Sequence, residues 1–110
     1  MTPDLVLTVA RGPAGPLLTI AGHLDHTNAH QLRDVVHSLA LLPGQLLTLD
    51  LAALAFCDSS GVAALLTARN RAHAEAARII LTNVSPATAR VLSMLGLDEI
   101  LRGRPTPDAA

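Results

Sequence analysis

Residues 46–74 constrain the fold most. Leu46 to Leu51 is a short, largely apolar run bounded by Gly44 and a polar loop. That loop closes on Asp58-Ser59-Ser60-Gly61, and a helical pattern running to about Ala74 follows at once. A strand that feeds directly into a helix points to a sheet with crossover connections, because parallel strands are joined that way. The run from Leu46 to Leu51 reads as a central strand buried on both faces. In the helix, Val62, Leu65, Leu66 and Arg69 fall on one stripe, while Thr67, Asn70 and Arg71 mark the wetter side.

The rest of the chain repeats this alternation. Leu5 to Ala10 and Leu17 to Ala21 flank Arg11-Gly12-Pro13-Ala14-Gly15-Pro16, a turn signal that predicts a hairpin. Thr27 or Asn28 caps a helix whose inner face is Ala29, Leu32, Val35, Val36 and Leu39, and Pro43-Gly44 stops it. Arg78 to Thr82 is the next strand. Ser85-Pro86 pairs a cap with proline at the first helical position, Val91, Leu92 and Leu95 form an inner face, and Gly96 ends the helix in the left-handed conformation. Leu97 to Leu101 is a short terminal strand or turn. The order β-β-α-β-α-β-α, with a possible fifth short strand, predicts an α/β fold: a mixed β-sheet of four or five strands with crossover helices on one or both faces. Residues 1–102 form the domain and 103–110 a flexible C-terminal tail.

Composition excludes several function classes. Half of the 110 residues are apolar, which argues against disorder. No apolar run reaches the roughly 18 to 20 residues of a membrane span, and the N-terminus has no secretory pattern, so a cytoplasmic protein without membrane insertion is expected. The net charge is −1, all eight basic residues are arginine and are scattered, and Phe56 is the one aromatic residue. Direct nucleic-acid binding is not expected from such a surface. The single cysteine, Cys57, precludes an internal disulfide and any multi-cysteine zinc site. Beside Asp58 its thiolate is disfavoured, so it reads as a buried small residue, with a reactive thiol as the lesser alternative.

The chemistry-bearing candidates converge on the helix start. Asp58, Ser59 and Ser60 are favoured cap residues, and Gly61 permits close packing. A phosphoryl group on Ser59 would add about two negative charges at the surface. Ser59 is therefore either a cap or a regulated contact point, and Ser60 is the lesser acceptor. Asp50 reads as a strand-end hydrogen-bond acceptor. His26 and His30, four apart beside Asp25, are the nearest approach to a metal site, but they lack a complete ligand set. A hydrolase reading fails on sequence, because the G-x-S-x-G pattern is absent around Ser59. Neither a cofactor nor a catalytic residue is expected.

The stretch Leu49 to Gly61 resembles the signature of STAS domains, the sulphate-transporter and anti-sigma-factor-antagonist family. Gly22-His23-Leu24-Asp25 is similar to that family's G-x-L-D at the end of the second strand, and Asp50 matches its polar residue near the end of the third. Ser85-Pro86, Arg90-Val91-Leu92 and Gly96-Leu97 resemble its S-P-x-x-x-R-x-L…G-L helix. Val62-Ala63 stands where the family often has Leu-Gly. The nearest subgroup is the stand-alone bacterial anti-sigma factor antagonist. The resemblance implies binding of an anti-sigma factor with kinase activity in the unphosphorylated state, and loss of that binding on phosphorylation at Ser59. It also implies a docking surface of Asp25, Asp58, Ser59, Ser60 and Gly61. A STAS adaptor that binds its partner constitutively, in a stress complex or as a lipid-transport accessory, shares the same fold and is the alternative.

Overall fold

A two-residue turn at Pro13-Ala14 sets the first strand, β1 (Leu5–Gly12), antiparallel to β2 (Gly15–Leu24), in an unbroken register from Gly12↔Gly15 to Leu5↔Gly22. Gly15 is required there: its φ is +147°, and a Cβ would lie 2.5 Å from the Leu46 carbonyl oxygen. The computed structural model describes residues 4–97. After the hairpin come α1 (Ala29–Ser38), β3 (Leu46–Asp50), β4 (Leu54–Cys57), α2 (Ser59–Ala74), β5 (Arg78–Thr82) and α3 (Pro86–Met94). Among the described residues the sheet is mixed and five-stranded. Its order is β1-β2-β3-β5, and β4 pairs with the far end of β2. All pairings except the hairpin are parallel. The predicted α/β class, inner strand and crossover helices are as observed.

The sheet alternates. Leu18 and Ile20 of β2, Leu47 and Leu49 of β3, and Ile79 and Leu81 of β5 are buried on one face. Leu32 and Val36 of α1 and Val62 and Leu65 of α2 join them in one core, and the two helices pack on each other. Burying a leucine of this kind stabilises the fold by roughly 1.5–3 kcal/mol. The alternate residues Leu46, Thr48 and Asp50 are only half-buried. The expectation that Leu46 to Leu51 is buried on both faces is thus corrected. The strand shows the period-two pattern of a sheet with its main cover on one side.

Other expectations change, and one falls outside the described residues. The fifth strand is Leu54–Cys57, inside what reads as a loop; it adds to β2 across a register shift between Gly22 and His23. The terminal strand or turn lies, beyond Leu97, outside the described residues, as does the tail. In α2 the fully buried ridge is Val62, Ala64, Leu65, Ala68 and Ala72, with Leu66 and Arg69 half-buried. The small side chains let α2 approach its neighbours closely. Arg71 is no solvated face either. Its guanidinium donates to the Leu39 carbonyl at 2.9 Å and pairs with Glu75 at 2.8 Å, which ties the end of α2 to the end of α1. In α3 only Leu92 is buried, while Val91 and Leu95 are 43% and 55% exposed. This short helix meets the core along a single line. Its end is as predicted: Gly96 has φ +74°, Leu97 N–H donates to Leu92 O, and Gly96 N–H donates to Ser93 O.

Candidate functional site

The parallel strands β2 and β4 end side by side, with Leu24 opposite Cys57. The chain leaves β2 through Asp25-His26-Thr27 and leaves β4 straight into α2. Two short segments of very different sequence number therefore meet at one edge of the sheet, which is the common place for sites in parallel sheets.

Asp58 joins them. It is the N-cap of α2: its Oδ1 accepts the Gly61 N–H at 3.0 Å. Its Oδ2 accepts the His26 N–H at 3.2 Å, and the His26 Nδ1 lies 3.8 Å from the same oxygen. The Asp58 N–H in turn donates to Leu24 O at 3.2 Å. Both carboxylate oxygens are thus engaged by backbone. Asp58 has no hydrogen bond to the Ser59 hydroxyl, so its role is to cap α2 and hold the β2–α1 loop.

Ser59 is the first residue of α2 and is exposed; Ser60 is half-buried. Among the described residues, the Ser59 hydroxyl has no hydrogen-bond partner. Asp58 occupies the cap position, so the Ser59 side chain is not used in capping α2. Gly61 fits a tight place. A Cβ there would lie 2.6 Å from Cys57 Sγ and 2.8 Å from Leu24 O, so glycine lets the first turn of α2 sit directly on the ends of β2 and β4. The Cys57 thiol is half-buried in this contact. Burial, and then the neighbouring Asp58 charge, push it up to about 11, so the thiolate is disfavoured as expected, while the side chain is half-buried rather than the buried small residue read from sequence.

The β2–α1 loop is built by hydrogen bonds that sequence reasoning missed. Asp25 accepts from the Thr27 hydroxyl and from the Thr27 N–H at 2.9 Å. The Thr27 hydroxyl first, and its N–H second, hold the Asp25 carboxyl below the ordinary carboxylate value. Asn28, the one buried polar residue of the described chain, accepts from the Asp25 N–H and donates to His23 O, both at 2.9 Å. It sits at the N-cap position of α1 without a side-chain cap bond, because its amide is used to brace the loop. The spacing Asp-x-Thr is a readable Asx-turn signal. His26 lies in this loop, outside α1, so it and His30 do not share a helix face. Among the described residues no three His, Cys, Asp or Glu side chains gather as a metal set.

A neighbouring feature is a shallow groove of about 280 Å³ between β4 and α3, with Leu54, Phe56, Val62, Thr88 and Val91 on its walls. Phe56 is 52% exposed and makes an edge contact with His23 at 6.0 Å between ring centroids. Asp50 closes the same end of the sheet. It accepts from the Asn83 amide and from the Ala52 N–H, both at 3.0 Å, and these bonds, Asn83 first, lower its pKa. It is thus a strand-end acceptor, as read from sequence. Asn83 takes a left-handed φ of +58° to reach it. No helix of the described residues is long and apolar enough to cross a membrane.

Known proteins share this fold and sequence pattern. The family model described as "Mlab, STAS domain" matches residues 7–103. The chain is 36% identical over 83 residues to an anti-sigma F factor antagonist of Lysinibacillus sphaericus, over 74% of this chain and 70% of that one. An anti-sigma factor antagonist from Mycobacterium paratuberculosis has a similar fold, with a TM-score of 0.72 at 24% identity over 97% of this chain and 92% of that one. The Bacillus cell fate determinant SpoIIAA in its phosphorylated form superposes with a TM-score of 0.67 at 26% identity, over 84% and 85% of the two chains.

Proposed function

The chain belongs to the STAS domain family, and from that premise we propose that it is an anti-sigma factor antagonist switched by phosphorylation at Ser59. The carrying observation is the division of labour at the start of α2. Asp58 does the capping, which leaves the Ser59 hydroxyl exposed and, among the described residues, without a partner. A residue that the fold does not need is a residue that a kinase can modify without unfolding the domain. The relative of 36% identity is named an anti-sigma F factor antagonist, and a structural neighbour is described in a phosphorylated form, which supports the reading.

In this mechanism the neutral surface of Ser59, Ser60 and Gly61, flanked by Asp25 and Asp58, docks on an anti-sigma factor that carries ATP. The Ser59 oxygen attacks the γ-phosphorus of that ATP, ADP leaves, and the hydroxyl proton passes to a base on the partner. The new phosphate sits at a helix start, where first-turn N–H groups and the helix dipole tolerate an anion. The free domain therefore keeps its fold. The docked complex does not tolerate the charge, because it has to desolvate it against a surface matched to a neutral serine. The partner lets go and becomes free to bind its sigma factor.

A constitutive adaptor is the second reading, and the apolar groove at Phe56 favours it, since such a groove needs no charge switch to hold a partner. Incubation with the candidate anti-sigma kinase and ATP, followed by mass-spectrometric mapping, separates the two. Modification at Ser59 that is lost in Ser59→Ala, with binding retained, supports the switch. Modification confined to Ser60 contradicts the residue assignment, and binding indifferent to ATP supports the adaptor.

A further inference from the structure

Among the described residues β1 is an edge strand with one side unpaired, and its hydrogen-bonding phase can be read from two bonds. His23 N–H donates back to Asp4 O, whereas the neighbouring Gly22 N–H turns away from β1 to Ala53 O. In an antiparallel ladder the pairs alternate. With the register Leu5↔Gly22 to Gly12↔Gly15, the backbone groups of residues 4, 6, 8, 10 and 12 therefore face β2. Those of Leu5, Leu7, Val9 and Arg11 point outward from the sheet. Among the described residues nothing pairs with them.

Edge strands are usually protected by lysine, proline, bulges or brevity. Here the strand Leu-Val-Leu-Thr-Val-Ala-Arg-Gly is eight residues long, has no bulge, and carries one charge, Arg11. Val6 and Val9 are 42% and 48% exposed on its two faces. We infer that β1 is the self-association surface of this protein, pairing antiparallel with β1 of a second copy across a two-fold axis at Thr8.

The register follows from the phase. Outward groups have to meet outward groups, so odd residues pair with odd ones. Centring on Thr8 sets Leu5 opposite Arg11 and Leu7 opposite Val9, twice each by symmetry, and uses every outward group. That makes about eight inter-strand hydrogen bonds. Leu7 of each copy covers the exposed Val9 of the other on the core face, and Val6 meets Ala10 on the open face. The two Arg11 side chains lie at opposite ends, so no like charges oppose each other. The contact is isologous and closes after two copies. The Leu5 end of β1 lies at the Ser59 end of the sheet, so antiparallel pairing sends the two Ser59 sites to opposite ends. Both stay open, and dimerisation does not compete with the proposed docking surface. One strand pair with a few side chains lies at the small end of specific interfaces, which implies a weak, concentration-dependent dimer.

Sedimentation velocity from about 10 μM to about 1 mM reads the association directly. The parent protein is expected to shift from monomer towards dimer across that range. Val9→Pro removes only an outward N–H, a place where edge strands accept proline, and is expected to weaken association at least tenfold while circular dichroism is retained. If that variant does not fold, Val9→Lys serves the same purpose. Cysteine cross-linking in a Cys57→Ala background tests the axis. Thr8→Cys places two Cα atoms about 4.5 Å apart in a non-hydrogen-bonded pair, within disulfide reach. Ala10→Cys places them roughly 14 Å apart, out of reach. A parent that stays monomeric at the highest concentration overturns the inference. So does association unchanged in a folded Val9 variant, which puts the interface elsewhere, or cross-linking through Ala10→Cys but not Thr8→Cys.

Discussion

Asp58→Ala and Ser59→Ala, made side by side, should separate the cap from the free hydroxyl. Asp58→Ala removes an N-cap, a loss that costs about 1 kcal/mol within a range of roughly 0.5–2. It also removes the acceptor of the His26 N–H, a partly exposed bond contributing about 0.5–1.5 kcal/mol. Together these give about 2 kcal/mol, since the two bonds use different oxygens of one carboxylate and tie different elements. Ser59→Ala removes an exposed hydroxyl with no partner among the described residues, and surface changes of that kind stay within about 0.5 kcal/mol. Urea unfolding followed by circular dichroism measures both. With an m-value of about 1–2 kcal/mol/M for a domain of this size, the Asp58 variant's midpoint should fall by about 1–2 M and the Ser59 variant's by less than about 0.5 M. A Ser59→Ala loss above about 1 kcal/mol would falsify the division of labour, because the hydroxyl would then be a structural cap. A harmless Asp58→Ala would equally contradict it.

Further outcomes follow from the same contacts. Gly61→Ala should destabilise by about 1–3 kcal/mol through overpacking against Cys57 and Leu24, despite alanine's better helix propensity of about 1 kcal/mol; a urea midpoint at or above the parent's would refute the tight fit. Asp25 and Asp50 have lowered folded-state pKa values. Their stabilisation is present above the ordinary carboxylate value of 3.8 and is lost as pH falls through the lower folded values. Acid titration of stability should therefore show a drop below about pH 4 that is shallower in Asp25→Asn and Asp50→Asn, and parallel curves would dismiss the assignment. Cys57, with its thiol pushed up to about 11, should react with a disulfide reagent near neutral pH far more slowly in the folded protein than in urea, and equal rates would contradict its burial.

Much of this fold is legible because local signals agree with it. Gly/Pro residues mark the hairpin, Ser85-Pro86 and Gly96 bracket α3, and the α1 face repeats at helical spacing. The missed features depend on tertiary contacts. Leu54–Cys57 is too short and unpatterned to announce itself as a strand, and it becomes one only by adding to β2 past a register shift. The Val91 and Leu95 stripe looks like an inner face, yet a helix of nine residues finds only enough surface to bury Leu92. Leu47 and Leu49 alternate with Thr48 and Asp50, which indicates one covered face, but the apolar run of six residues masks that period. At the site, the Asp58-Ser59-Ser60-Gly61 motif is visible in sequence, whereas the His26 N–H on Asp58 joins residues 32 apart and exists only because β2 and β4 end together.

If Ser59 is the switch, a charge there matters to the partner and not to the fold. The decisive measurement is calorimetric titration of the anti-sigma factor into the parent, Ser59→Ala and Ser59→Asp proteins, with thermal melts of each. Ser59→Ala is expected to bind like the parent, and Ser59→Asp at least about tenfold more weakly, a loss of about 1.4 kcal/mol. Ser59→Asp is expected to melt at or slightly above the parent, since a negative charge at a helix start contributes roughly 0.3–1 kcal/mol. Undiminished affinity of Ser59→Asp would place Ser59 outside the interface and contradict the switch.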